Sequence, residues 1–334
     1  MLSQLHTPTQ YHPVFEALKT YSEPVNGRVA AHTLEAQIGN TPLLKLEKTA
    51  QIAGLHPSVG LYAKAEWFNP GGSVKDRPAL NIIRTAEREG KLRPGMTILD
   101  ATSGNTGIAY AMLGAARGYR VKLVLPDNVT PERKAILRAY GAELVFTDPM
   151  DGADGAIREA HRIKDSDPTV FHADQYNNPA NWMAHYLTTA NEIWQQTNGT
   201  ITHFITGMGT SGTFMGNTRR LRELNPYIHF VSIQPESAFN GIEGMKHMAT
   251  AIVPGIYDET LADENLFVRT EDAQSMARQL ARTEGIFVGL SAGAMVATIV
   301  RYAQERDLRN AIIVTVLPDS GFKYLSQSFW NEAD

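Results

Sequence analysis

Short apolar runs alternate with longer amphipathic stretches along most of the chain. Residues 60–68 (GLYAKAEWF), 97–103 (TILDATS), 122–126 (KLVLP) and 143–147 (ELVFT) read as strands. Between them, 78–92 (PALNIIRTAEREGKL), 107–119 (GIAYAMLGAARGY) and 132–141 (ERKAILRAYG) read as helices. The second half repeats the rhythm, with strands at 201–206, 230–234 and 311–318, helices at 214–224 and 271–284, and a further helix after a glycine loop. This order predicts an α/β fold of two doubly wound, mainly parallel sheets covered by helices on both faces. A ligand cleft is expected between the sheets, where strand C-termini meet helix N-termini. Roughly the first 30 residues carry one short helix candidate, 13–22, and look peripheral. No internal repeat or low-complexity segment stands out.

Composition narrows the chemistry. The chain has 334 residues, 43% apolar and 20% charged, as expected of a soluble globular protein with a sizeable core. Net charge is −4 and no Lys/Arg run exceeds two residues, so neither nucleic acid nor a membrane surface is an expected partner. There is no cysteine, which excludes disulfides, Cys-ligated metal and thiol nucleophiles. The N-terminus lacks the basic and apolar regions of a secretory signal, and a cytoplasmic location is expected. Histidines such as His185 and His247 show no metal-ligand spacing, His185 reads as packing, and no metal is predicted.

Four constellations follow predicted strands. Residues 69–77 (NPGGSVKDR) form a tight turn that carries Lys75 onto the first turn of a helix. The helix N-terminus disfavours a charged amine, and a neutral amine suits Schiff-base chemistry; a solvated lysine paired with Asp76 is the alternative. Residues 102–107 (TSGNTG) expose hydroxyls and backbone N–H groups at a helix start, either as a carboxylate or phosphate site or as a simple cap. Residues 207–212 (GMGTSG) match the dinucleotide fingerprint, with Glu236 near the position of a ribose-binding acid. Yet the hydroxyls of Thr210, Ser211 and Thr213 among those glycines suit a compact monophosphate. Residues 318–321 (PDSG) close the strongest strand and read equally as a turn or as part of the crevice.

Taken together, the four segments resemble the fold-type II pyridoxal-phosphate enzymes (tryptophan synthase β-like), and within them the cysteine synthase and cystathionine β-synthase family. The similarity is greatest to bacterial cysteine synthases of the B type. It runs from Ile38 onward through GNTPL (39–43), NPGGSVKDR, TSGNTG, QYNNPANWMAHYLTTANEIW (175–194), GTSGT (209–213), EGIFVGLSAGA (284–294) and LPDSG (317–321).

The resemblance implies pyridoxal 5′-phosphate as cofactor. Lys75 would hold it covalently and shuttle the substrate α-proton, and Asn105 would hydrogen-bond its ring oxygen. Gly209, Thr210, Ser211, Gly212 and Thr213 would bind its phosphate, and Ser320 would face its pyridine nitrogen. Thr102, Ser103, Thr106 and Gln175 would grip the substrate carboxylate. The implied reaction is β-elimination from O-acetylserine or O-phosphoserine to aminoacrylate, then addition of sulfide to give L-cysteine. A smaller domain at 46–180 would carry the lysine and asparagine loops, and a larger one at 1–45 and 181–334 the phosphate loop and Ser320. A homodimer is implied, with serine acetyltransferase as a candidate partner.

Two departures stand out. Ala190-Asn191 replaces a common Gly-Pro, and Lys246 lies where some relatives place a basic residue that serves an anionic donor, so Lys246 is expected to permit O-phosphoserine or thiosulfate alongside O-acetylserine. Cystathionine β-synthase, using serine and homocysteine, is the competing activity. A nicotinamide dehydrogenase would leave Lys75 and the 102–107 loop without a role.

Overall fold

The computed structural model describes residues 33–102 and 104–331, and every element below lies in the compact unit Leu34–Asp334. The helix candidate at 13–22 and the predicted carboxylate ligand Ser103 lie outside the described residues. The strands are β1 (Leu43–Lys45), β2 (Gly60–Ala65), β3 (Thr97–Ala101), β4 (Arg120–Pro126), β5 (Glu143–Thr147), β6 (Val170–His172), β7 (His203–Gly207), β8 (His229–Pro235), β9 (Glu264–Val268) and β10 (Ile312–Leu317). The helices are α1 (Glu47–Ile52), α2 (Asp76–Arg88), α3 (Asn105–Arg117), α4 (Pro131–Ala139), α5 (Gly152–Ser166), α6 (Ala180–Leu187), α7 (Thr189–Gln196), α8 (Gly212–Leu224), α9 (Thr270–Thr283) and α10 (Leu290–Glu305).

One sheet has the order β5-β4-β3-β6 and is wholly parallel. The other has the order β1-β2-β10-β7-β8-β9, parallel except for the antiparallel edge strand β1. Near-continuous apolar strands are what a sheet covered on both faces requires. The period of two then sends neighbouring side chains into different cores. In the smaller sheet Ile98 and Leu123 pack toward α2, α3 and α4, whereas Leu99 and Val124 pack toward α5. In the larger sheet Ile205 and Ile313 face α9 and α10, and Phe204 and Val314 face α7 and α8. Each sheet is therefore doubly wound, as the sequence pattern predicted.

Sheet membership departs from the 46–180 division at β2. Its sequence GLYAKA is buried on both faces and takes β1 and β10 as neighbours, so it belongs to the larger sheet. Among the described residues no helix is long and apolar enough to cross a membrane.

Candidate active site

The cleft between the two sheets encloses about 1020 Å³ including its open mouth. Strand ends from both sheets feed it, which brings most of the predicted residues to one place.

Lys75 lies at the N-cap of α2 and lines the cleft. The turn before it is pinned from several sides. Gly72 N–H donates to Asn69 O at 2.7 Å, Gly71 N–H to Asp76 Oδ2 at 2.5 Å, and Val74 N–H to Pro318 O at 2.8 Å. Asp76 thus serves the turn and is not an ion-pair partner of Lys75; burial pushes its carboxyl up to about 7. Lys75 is half-buried as a residue. Burial lowers the amine to about 8 against an upward pull from Asp319. The main cause is desolvation, where the sequence pointed to the helix N-terminus.

Thr102, Asn105, Thr106 and Gln175 line the facing wall. Thr102 Oγ1 accepts from Gly104 N–H and Gly107 N–H, both at 3.2 Å, so it caps α3 as well as facing the cleft. Thr106 donates to Gln175 Oε1 at 2.8 Å, and Gln175 Nε2 donates to Ala101 O at 2.7 Å. The glutamine amide is thereby held rigidly at the start of α3.

The loop after β7 supplies Gly209, Thr210, Ser211 and Thr213 to the cleft. A Cβ on Gly209 would lie 2.0 Å from Gly244 O, so only glycine allows the two backbones to approach. Ser211 takes a left-handed φ of 68°, a strained conformation for serine, and its buried hydroxyl has no partner among the described residues. Gly212 opens α8 and packs on Asn181, which donates to Thr210 Oγ1 at 3.1 Å. Thr213 Oγ1 lies 3.2 Å from His185 Nε2, and His185 Nδ1 lies 2.9 Å from Thr189 Oγ1. Burial, with Arg77 and Lys75 nearby, holds His185 well below its usual range, so it supports the loop as a neutral imidazole. Sequence reading had given it packing alone.

Ser320 is not among the cleft-lining residues; its backbone pairs with Val288. Its neighbour Asp319 is fully buried and accepts from Asn105 Nδ2 and Tyr324 Oη, both at 2.7 Å. Lys246 does line the cleft, but not as a solvated lysine. It is 9% exposed, 3.3 Å from Asp154 Oδ1 and 4.9 Å from the centre of the Tyr176 ring. Glu236 is exposed and outside the cleft, which removes the acid a dinucleotide site needs.

Sequence reading missed Arg133, Glu243 and Tyr324. Arg133 pairs with Glu243, and its guanidinium lies 4.7 Å from the centre of the Tyr324 ring. A single arginine on the first turn of an amphipathic helix carries no sequence signal of burial.

The model of the family described as "Pyridoxal-phosphate dependent enzyme" matches residues 34–319. The chain is 48% identical over 320 residues to the "Cysteine synthase" of Aquifex aeolicus, covering 95% of this chain and 97% of that protein. It is 44% identical over 300 residues to the "Cysteine synthase B" of Escherichia coli, covering 90% and 96%. Among solved structures, cysteine synthase from Entamoeba histolytica superposes with a TM-score of 0.86 at 35% identity, covering 93% of this chain and 94% of that one.

Proposed function

Because the chain belongs to the family of pyridoxal-phosphate dependent enzymes, we propose that it is a cysteine synthase. It would exchange the β-substituent of an activated serine, O-acetylserine or O-phosphoserine, for sulfide. The observation that carries this reading is the meeting, in one cleft, of the Lys75 amine at about 8 and the glycine-hydroxyl loop 209–213. Pyridoxal phosphate fits those residues. A single phosphate suits a loop whose buried Ser211 hydroxyl lacks a partner among the described residues and whose Gly209 leaves the backbone bare just before α8. When bound, the cofactor draws electron density from the substrate Cα, which acidifies Cα–H and promotes loss of the β-substituent.

This chain's residues supply the rest. Lys75 Nζ, neutral above about pH 8, accepts the α-proton. The loop 102–106, with Gln175, binds the substrate carboxylate at the positive end of α3. Asn105 donates to the cofactor's ring oxygen. Ser320 enters on resemblance alone, as a neutral partner for the ring nitrogen. The pairs Arg133–Glu243 and Lys246–Asp154 tie segment 241–257 to α4 and α5, shielding the cleft from water.

Loading the chain with pyridoxal phosphate should produce visible absorbance, and borohydride should fix the cofactor to the peptide containing Lys75. The loaded enzyme should form cysteine from an activated serine and sulfide, and do so faster than it forms cystathionine from serine and homocysteine. Absence of cysteine with both serine esters would sink the reading.

Lys246 is assigned to an anionic donor group. Lys246→Ala should raise KM for O-phosphoserine about tenfold more than for O-acetylserine, the value of a charge-assisted hydrogen bond. An unchanged preference between the two esters counts against that role.

A further inference from the structure

Asn105 is held by two opposite charges on one short segment. Its Nδ2 donates to Asp319 Oδ2 at 2.7 Å, and its Oδ1 accepts from Lys323 Nζ at 2.8 Å. An ammonium has only donors and a carboxylate only acceptors, so the reverse orientation of the amide would oppose like polarities at both ends. The chemistry of the partners therefore fixes the flip of this carboxamide. One amide hydrogen is taken by Asp319, and the second is left for a group in the cleft that Asn105 lines.

We propose that Asp319 and Lys323 are positioning residues that lock the Asn105 carboxamide in the one orientation that aims an N–H at the cofactor's ring oxygen. The proposal rests on the functional reading above and assigns these two side chains a task within it.

Both side chains are buried, Asp319 at 0% and Lys323 at 6% exposure, where polar atoms depend on their partners. Asp319 Oδ2 takes two donors while its Oδ1 has none among the described residues, and Lys323 is fully partnered. Its three N–H groups go to Asn105 Oδ1, to Gly71 O at 3.2 Å and to Gly72 O at 2.9 Å. The same ammonium thus grips the turn that presents Lys75 and the amide of Asn105. Tyr324, one residue on, donates to the same Asp319 oxygen as Asn105 does. The short helix Gly321–Tyr324 is what brings the acid and the lysine to the two ends of a single amide.

The test uses the loaded holoenzyme and reads its spectrum. A donor at the ring oxygen stabilises the deprotonated oxygen and with it the visible band. Asp319→Asn presents either an acceptor or a donor to Asn105, which removes the polarity of the lock. It should move absorbance from the visible band to the near-ultraviolet and weaken cofactor binding about tenfold. Lys323→Gln should do the same, while Lys323→Arg, which keeps only donors, should retain the band. In an Asn105→Ala background, Asp319→Asn should add much less than it does in the wild type, because the part of its effect that passes through the amide is gone and only the direct pull of Asp319 on Lys75 remains.

An unaltered spectrum in both Asp319→Asn and Lys323→Gln, or additive shifts with Asn105→Ala, overturns the proposal. Should Asp319→Asn fail to fold, the Lys323→Gln and Lys323→Arg pair decides on the same readout. A wild-type chain that takes up no cofactor overturns the functional reading itself, an outcome distinct from a loaded enzyme whose spectrum ignores Asp319.

Discussion

Lys75→Ala is expected to lower cysteine formation by at least about 10³-fold, the scale set by losing a positioned base that is also the covalent anchor. The fold should be unaffected, because Lys75 makes no ion pair among the described residues and its burial disfavours the charged amine. Lys75→Arg should be as inactive as the alanine variant, since a guanidinium stays protonated in proteins. The pH dependence follows from the direction of the shift. Lowering the amine from 10.5 to about 8 means that, at pH 7, about a tenth of it is neutral, against well under about a thousandth for an exposed lysine. Uptake of cofactor by the apoprotein should therefore accelerate as pH rises toward about 8 and level off above it. Stopped-flow measurement of the visible band between pH 6 and about 9.5 checks this; a rate flat across that window would remove Lys75 as the titrating nucleophile.

The parts legible from sequence were those written in local pattern. Short apolar runs alternating with amphipathic stretches pointed to both sheets, and glycine-hydroxyl loops after the runs pointed to the cleft, since backbone approach and helix starts demand those residues in order. Lys75, Asn105 and the 209–213 loop meet because parallel strands all end on the same side. Partnerships across the fold were not legible. The pairing of β2 with β10 joins residues far apart in sequence, which displaced a division drawn along the chain. Arg133 and Lys246 look like surface cations until their partners arrive, Glu243 from the segment between β8 and β9 and Asp154 from α5. In the PDSG turn the resemblance singled out Ser320, and the structure adds Asp319, buried against Asn105.

Arg77→Met is expected to lower stability by about 3–5 kcal/mol, the range for removing one partner from a buried ion network. Arg77 Nε and Nη2 fork onto Glu66 at 2.7 and 2.8 Å, while Nη1 and Nη2 meet Glu192 at 2.6 and 2.8 Å. Lys64 completes the network 2.7 Å from Glu192 Oε2. Methionine fills the space of the stem but leaves Glu66, at 0% exposure, without its principal counter-charge. A melting temperature lower by about 4–7 °C is expected for a chain of this size. Arg77→Lys should recover only part of it, because one ammonium cannot satisfy two carboxylate forks. The network also has a signature in pH. Burial pulls the Glu192 carboxyl up, but Arg77 and Lys64 outweigh it and hold the group at about 2 instead of 4.5. A depressed carboxyl stabilises the fold above its unfolded value and loses that stabilisation as pH falls toward the folded one. The wild type should therefore lose stability between pH about 4.5 and about 2 through this group, and Arg77→Met should show a flatter dependence there. Equal melting temperatures for Arg77→Met and wild type at neutral pH would refute the account. The contrast with Lys75 is diagnostic: two residues apart on one helical turn, Lys75→Ala should abolish turnover without unfolding the protein, and Arg77→Met should lower turnover only as far as it loosens the turn that carries Lys75.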